Sequence, residues 1–543
     1  LGDRDYMIAL RPYQVDAIER VRQQVRRGVR RVILVAPTGA GKTVMASAIV
    51  ASAIERGTRV LFIAHRRELI GQAFAKFIEF GLPESDVGII MAGEAGIAAA
   101  LSARGVKLTS HKLKRPQARV QVASIDTLRN RAMPDDIGLV IVDECHRCLA
   151  PSYRKLQATY PKANHIGLTA TPYRADGKGL GEAYDALVLA ASVQQLIDMG
   201  SLVEPRVWTV PAEDLPQLGK IRITGGDYDA AQLSAAVDQK GLVGNIVEHW
   251  QSHAEGRQTV VFAVDVQHSK HLTARFAEAD VAAEHLDGTT PGAERDAILR
   301  RLGSGETRVV VNCGVLCEGW DQPSVKCCVL ARPTKSMGLY LQQAGRILRP
   351  YEGIGAIILD HSGNVLEHGL PQEDREFSLE SKTKSSKKTV GLKTCPSCYA
   401  IVAPAVTTCV CGYVWEHAGA PDREEKTEEH DGRLIEVRPA TQADKRFEYD
   451  RLTALASERG YKSGWVAHQY REKFGTWPPN AWQQSQPKRD ATDDEKRLYL
   501  ADLRRERDER GYAAGYVYAK YKAKFGEDPA LLTRQYPADW DAA

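Results

Sequence analysis

The segment RVILVAPTGAGKTVMASAIV, Arg31 to Val50, constrains this chain more than any other. Its apolar, β-branched run from Val32 to Val35 reads as a buried strand, Ala36 to Gly41 as a loop with two glycines, and Lys42 onward as the head of a helix. A strand, a loop and a helix in that order aim backbone N–H groups at one point in front of a helix N-terminus, which is a cradle for phosphate. Gly39 and Gly41 permit the close approach, and Pro37, Thr38 and Ala40 complete the loop. Lys42 then reaches the terminal phosphates and the Thr43 hydroxyl is placed for Mg²⁺. The ligand these residues predict is a nucleoside triphosphate. Ala36 stands where the strict pattern has its first glycine, and the flanking strand and helix support the reading.

With 543 residues, 43% of them hydrophobic and 26% charged, the chain is long enough for several domains with separate cores. A net charge of +4 permits a nucleic-acid partner without requiring one. The absence of any apolar run of about 18 residues, and of a basic-then-apolar start, predicts a cytoplasmic protein with no membrane contact. Cys145, Cys148, Cys313, Cys317, Cys327 and Cys328 lie in apolar surroundings and read as reduced core thiols.

Upstream of the loop, LRPYQVDAI (Leu10 to Ile18) places Gln14, a donor and acceptor suited to adenine. The plainer reading is a surface glutamine on an amphipathic helix. Downstream, strands are predicted at Arg59–Ala64, Arg119–Ser124, Leu139–Glu144 and His165–Thr171, with helical pattern between them, which makes a doubly wound parallel sheet. His65, Arg66 and Arg67 follow the first of these strands, at the sheet edge where ligands bind, or else simply open a solvated helix. The basic stretch Lys107–Arg119 reads as a solvated loop with the option of phosphate contacts. Asp143 and Glu144 end another strand. There Asp143 suits Mg²⁺ and Glu144 suits activation of the water that attacks the γ-phosphate, with His146 coupling toward Gln342 or the Thr169–Thr171 loop. Two acids could also merely start a helix.

The motifs LRPYQ, APTGAGKT, AHRREL, VDECH, GLTATP, TVVFAV, VNCGVLCEGWDQP and QQAGRILR occur in that order. Over roughly residues 8–365 the chain thereby resembles the superfamily 2 helicases, and VDECHR, TPGAERD, RPT…LYLQQAGRILR and ILDHSGN look most like the RadD-type bacterial helicases. The resemblance implies two RecA-like lobes closing on ATP, with nucleic acid crossing both. It adds Arg11 to the nucleotide contacts, gives Gly319 and Asp321 the role of linking ATP state to strand contact, and assigns strand contacts to His65, Arg66, Arg67, Ser124, Thr127, Asn312 and Thr334. It further implies DNA rather than RNA, a monomer, and single-strand-binding or recombination proteins as partners.

The second lobe begins after a link near Leu202 to Pro211, with strands predicted at Thr259–Val264, Arg308–Asn312, Lys326–Ala331 and Gly355–Asp360. It has no phosphate loop. Gln342, Arg346 and Arg349 share a helix face, and the two arginines would act as fingers on the γ-phosphate when the cleft closes. Trp320 reads as core, with base stacking the alternative.

Beyond Asn364 the composition changes. A Ser/Lys linker leads to Cys395, Cys398, Cys409 and Cys411, four thiols on two tight knuckles that suit structural Zn²⁺; metal-free thiols are the alternative. An acidic segment, Asp422 to Asp431, follows. Then ERGYKSGWVAHQYREKFGTWP (Glu458–Pro478) aligns without gaps on ERGYAAGYVYAKYKAKFGEDP (Glu509–Pro529), a duplication of a helical unit. Its aromatics Tyr461, Trp465, Tyr470 and Phe474 read as core, or with Lys462, His468, Arg471 and Lys473 as a stacking surface. The resulting organisation is α/β, with lobes at 1–203 and 204–370, a linker at 371–390, a zinc-ribbon-like module at 391–416, an acidic linker at 417–445 and tandem helical repeats at 446–543, the copies near 452–482 and 503–533. The function this predicts is an ATP-dependent DNA helicase or translocase of repair or recombination; the alternative is the DNA-stimulated motor of a restriction or defence assembly. No nuclease or methyltransferase motif is visible, which favours the first.

Overall fold

The computed structural model describes residues 8–91, 113–131, 133–148, 150–173, 179–211, 221–237 and 240–380, isolated positions between them, and shorter stretches between 393 and 521. In chain order the strands of the first lobe are β1 (Arg31–Val35), β2 (Arg59–Ala64), β3 (Val87–Ile90), β4 (Val120–Ser124), β5 (Ile137–Asp143), β6 (Asn164–Thr169) and β7 (Ala186–Leu189). They form one parallel sheet in the order β3-β4-β2-β5-β6-β1-β7. Helices cover both faces, so strands such as VILV are buried on each side and carry unbroken apolar runs. The sheet order sets β6 between β1 and β5, which brings the loops leaving those three strands to one edge.

The second lobe adds β8 (Pro205–Thr209), a small hairpin of β9 (Ile223–Thr224) and β10 (Asp227–Tyr228), then β11 (Thr259–Phe262), β12 (Ala283–Leu286), β13 (Val309–Asn312), β14 (Cys327–Leu330) and β15 (Ala356–Asp360). After a short hairpin of β16 (Lys393–Thr394) and β17 (Ile401–Val402), β18 (Ile435–Val437) returns to this lobe. The sheet order is β12-β13-β11-β14-β15-β8-β18, with only β18 antiparallel to its neighbour. The stretch read from sequence as a link near Leu202 to Pro211 is therefore corrected: it contains β8, an interior strand. Its alternation of buried Val207 and Thr209 with exposed Arg206 was hidden by the proline that opens it.

Past β15 the chain turns back toward the first lobe. Arg375, half-buried, donates to four carbonyls: His368 at 3.0 Å, Leu370 at 2.8 Å, Pro371 at 3.2 Å and Glu373 at 2.8 Å. The next residues form a strap across the first lobe. Phe377 and Leu379 pack on its core, Tyr173 Oη accepts from Ser378 N at 3.0 Å, and Gly181 N donates to Leu379 O at 3.0 Å.

In the tail, helices Gln442–Arg459 and Gly464–Phe474 pack through Tyr449, Leu452, Ala456, Val466 and Tyr470. The rings of Tyr449 and Tyr470 meet edge to face at 5.9 Å. Tyr470 is thus core, whereas Tyr461 is 42% exposed. A second compact unit spans Pro478–Ala543, and in it Leu500 and Leu503 of helix Asp493–Arg510 cluster with Val517 and Tyr521. Cys145, Cys148, Cys317, Cys327 and Cys328 are buried thiols outside any disulfide, and Cys313 is a half-buried one. No helix among the described residues is long and apolar enough to cross a membrane.

A Cβ at Gly179 would collide with the backbone of Leu379 and Glu380. Gly179→Ala should therefore lift the strap while leaving both sheets folded, and amide hydrogen exchange at residues 376–380 should rise by about tenfold or more relative to the sheets. Unchanged protection there would contradict the packing described.

Candidate functional site: the cleft between the lobes

The phosphate loop is built by its glycines. Gly39 and Gly41 have φ of 88° and 77°, in the left-handed region that side chains rarely enter. Helix Lys42–Glu55 starts at Gly41 with no side chain capping it, so its first N–H groups stay available to an anion. Lys42 Nζ donates to Ala36 O at 3.2 Å, and burial draws its pKa down.

Gln14 lies against the loop. Its Oε1 accepts from Arg11 N at 2.9 Å, and its Nε2 donates to Ala40 O at 3.1 Å, where Tyr13 Oη also donates at 2.9 Å. In this conformation Gln14 and Tyr13 brace the loop from helix Pro12–Arg26, and the Gln14 amide is spent on backbone rather than offered to a base. Arg11 is exposed at that helix's start. The Tyr13 contact was not foreseen from sequence, because an aromatic one residue before Gln14 reads as helix packing.

Asp143 ends β5 and Glu144 follows with φ 49° and ψ 52°, a left-handed conformation for a non-glycine residue. Such strain persists only where the surroundings hold it, and it clusters at functional sites. Both carboxyls are buried. Burial, with the Glu144 charge next, raises the Asp143 pKa to about 7. Burial acts the same way on Glu144, but the His146 hydrogen bond and the Lys42 charge outweigh it and hold that carboxyl below its ordinary range. Glu144 Oε2 lies 3.4 Å from His146 Nδ1 and accepts from Gln342 Nε2, in the other lobe, at 3.3 Å. His146 Nδ1 is 3.5 Å from Thr169 Oγ1, so the histidine sits between Glu144 and the Thr169–Thr171 loop.

Helix Met337–Ala344 brings the second lobe onto the loop. A Cβ at Gly345 would fall 2.7 Å from Thr38 Cβ, and one at Gly39 would fall 3.6 Å from Arg349 Cγ. Arg349 pairs with Asp321, and burial lowers its pKa to about 10. Arg346 is differently engaged: Nε and Nη2 donate to Cys317 O at 3.1 and 2.6 Å, and Nη1 to Trp320 O at 2.6 Å. Its donors are spent inside the second lobe, which leaves Arg349 as the arginine lying over the phosphate loop. Trp320 is core.

The residues read as strand contacts divide. His65 Nε2 meets Glu318 Oε2 at 2.7 Å, and Arg66 donates to Val315 O at 3.1 Å and Gly314 O at 3.3 Å. Gly319, at φ 72°, accepts from the Gln72 amide of the first lobe. Ser124 is buried at the end of β4 and Thr127 half-buried on helix Ile125–Arg129. Asn312 and Thr334 are corrected. Asn312 is 0% exposed and holds Val261 O at 2.8 Å and Leu316 N at 3.1 Å; Thr334 is 2% exposed and donates to Asp227 at 2.9 Å. Both side chains are sealed inside the second lobe, where they brace its backbone and Asp227. The Arg67 side chain and Cys395, Cys398, Cys409 and Cys411 lie outside the described residues. Among the described residues no group of three or more His, Cys, Asp or Glu is placed to hold a metal ion.

Two parallel α/β lobes, one phosphate loop and a strained acid pair reached from both lobes define a class: a nucleotide-hydrolysing motor. Residues 7–174 match the family described as "Type III restriction enzyme, res subunit", and residues 241–351 match "Helicase conserved C-terminal domain". The chain is 32% identical over 382 residues to a 51.5 kDa protein of a Lactococcus phage, a match covering 69% of this chain and 76% of that one. It is 31% identical over 359 residues to IRC3 of Saccharomyces cerevisiae, provisionally named an ATP-dependent helicase; this covers 63% of the chain but 49% of IRC3, about half its length. A fragment assigned to the HsdR subunit of a type I restriction enzyme from Vibrio vulnificus shares the fold with a TM-score of 0.51 at 22% identity, over 69% of this chain and 68% of that one. The chain belongs to the superfamily 2 helicases, ATP-hydrolysing enzymes built on two such lobes.

Replacing Arg349 by Ala should leave nucleotide affinity within about twofold while kcat falls by about 10³-fold or more, the range for arginine fingers. Titration with a fluorescent ATP analogue beside steady-state turnover checks this. Loss of affinity at constant kcat would instead make Arg349 a ground-state contact.

Proposed function

We propose that this chain hydrolyses ATP between its lobes and uses the cycle of closure to move along DNA and unwind it. The observation that carries the reading is the carboxylate of Glu144, which Gln342 reaches from the second lobe while Arg349 lies over Gly39. Glu144, kept ionised, is the base that orients and deprotonates the attacking water. Gln342 and His146 fix its carboxylate, Lys42 and the loop N–H groups hold the phosphates, and Arg349 meets the charge that develops on the γ-phosphate. Arg346 serves as the brace that ties this segment to residues 317–320. Mg²⁺, when bound, would neutralise charge on the β- and γ-phosphates. Asp143 and Thr43 fit it, because Asp143 is a buried hard-oxygen donor at the end of the strand and Thr43 opens the helix behind the phosphate loop.

DNA as the track is supported by the match to a restriction-enzyme family, and unwinding by the helicase description of the second lobe. The repair or recombination setting, with single-strand-binding or recombination proteins as partners, rests on the RadD-type motifs. A second reading, the motor of a restriction assembly that translocates without unwinding, draws on the same family match. A forked DNA duplex separates the two. The proposed enzyme, alone with ATP, releases the displaced strand; Glu144→Gln still binds ATP and DNA but turns over about 10³-fold or more slowly and releases none. DNA-stimulated turnover with no strand release would favour the assembly motor, and near-normal turnover of the variant would remove Glu144 from the chemistry.

Two further proposals concern the chain beyond the motor. Cys395, Cys398, Cys409 and Cys411, outside the described residues, carry the spacing of a structural Zn²⁺ site. Elemental analysis of the chain purified without chelator should find about one Zn per chain, lost in Cys395→Ser; a metal-free preparation would refute the site. The duplication is supported by helices Gln442–Arg459 and Asp493–Arg510, each of 18 residues. Leu452, Val466 and Tyr470 are buried in the first copy, and Leu503, Val517 and Tyr521, at the same spacing, in the second.

A further inference from the structure

The basic residues at the carboxyl edge of the first sheet stand where a strand phosphate would be met, yet in the structure they are occupied. Glu318, on the second lobe, is 7% exposed, and its Oε2 lies 2.7 Å from His65 Nε2 and 3.4 Å from Arg66 Nε. The remaining donors of Arg66 go to the Val315 and Gly314 carbonyls. A buried carboxylate is a costly way to join two lobes, since a neutral amide could accept the same bond from His65 with less desolvation. What a carboxylate offers instead is the charge and oxygen geometry that a phosphodiester presents to an arginine and a histidine.

The position of Glu318 in its segment gives this contact a consequence. The residue before it, Cys317, lends its carbonyl to Arg346; the residue after it, Gly319, accepts from Gln72 of the first lobe; and Asp321 pairs with Arg349. Five consecutive residues therefore carry the acid that holds the basic pair and the groups that hold both arginines.

We propose that Glu318 is an internal stand-in for a strand phosphate: it holds His65 and Arg66 while no strand is present and yields them to a phosphodiester, so that segment 317–321 and the arginines attached to it move with strand occupancy. The proposal rests on the reading of His65 and Arg66 as strand contacts. Glu318 is then a positioning residue, acting on hydrolysis through Arg346 and Arg349 without touching ATP. Because it competes with the strand and is released in the bound state, its loss acts on strand affinity and spares turnover on saturating strand. A plain interlobe brace would behave in the opposite sense: its loss would weaken the closed, working state and lower kcat.

The test uses the full chain, an oligothymidylate as the probe strand, fluorescence anisotropy for binding and steady-state ATP turnover for coupling. Glu318→Gln keeps the acceptor for His65 and removes the charge. The oligonucleotide concentration for half-maximal binding and for half-maximal stimulation should both fall, by roughly three- to tenfold, the scale of one partly buried ion pair, with kcat at saturation within about twofold of the unaltered chain. Half-saturation that is unchanged or higher, or a fall in kcat with an unchanged melting temperature, would overturn the proposal and leave Glu318 a brace. Arg66→Ala tests the underlying reading separately. It should raise the half-saturating concentration by about tenfold and lower the dependence of binding on salt by about one phosphate contact. If Arg66→Ala leaves binding unchanged, the strand assignment itself fails, whichever way Glu318→Gln moves.

Discussion

A buried carboxylate needs partners, and Glu144 draws its partners from both sides of a cleft. It is held in a left-handed backbone conformation at the end of β5, next to a second buried acid, with Lys42 from the phosphate loop, His146 from its own lobe and Gln342 from the other. Leaving such a group unpaired costs several kcal/mol, so parting the lobes weakens the site and closing them completes it. The same contact between the lobes sets Gly345 against Thr38 and Arg349 over Gly39. On the proposed reading, chemistry and shape change are one event, which is what a motor requires.

The sheets exist to make that geometry. Parallel strands deliver β1, β5 and β6 to a common edge, so a loop, an acid pair and the Thr169–Thr171 turn converge although more than a hundred residues separate the first from the last. The second lobe repeats the architecture without a phosphate loop and contributes side chains in place of a second nucleotide site. The strap of residues 376–380 ties the end of the second lobe back to Tyr173, just past that turn, and to Gly181.

Much of this was legible in the residues because it is local. A strand that must be buried on both faces shows as VILV or LVIVD, and a loop that must wrap phosphate shows its glycines, so β1, β2, β4, β5, β6 and four strands of the second sheet were read close to their observed bounds. Strands β3 and β7 were missed because VGII and ALVL are short and, in β3, broken by Gly88, whose bare face lies against the Arg115 carbonyl. β8 hid behind Pro205. At the site, residue types marked the loop after β1 and the acids that end β5, but not the contacts around them. Gln14 braces Ala40, Arg346 clasps two carbonyls, and Asn312 and Thr334 are sealed inside the second lobe. Each of those outcomes depends on a contact between segments far apart in sequence, which periodicity and spacing do not encode. Glu318 was invisible for the same reason, since its meaning lies in His65 and Arg66, about 250 residues away.

The central claim is that the lobes must part and rejoin in every catalytic cycle. A Cβ at Gly338 would lie 3.9 Å from the Thr171 Cβ across the cleft, within the span of a disulfide. In a Thr171→Cys, Gly338→Cys chain the reduced protein is its own control for the effect of the substitutions. Oxidation should lock the cleft over the phosphate loop and lower ATP turnover by about a hundredfold or more, with recovery on addition of reductant. Equal turnover in the oxidised and reduced forms, with the cross-link verified by mass, would show that the closed arrangement need not open and would contradict the account.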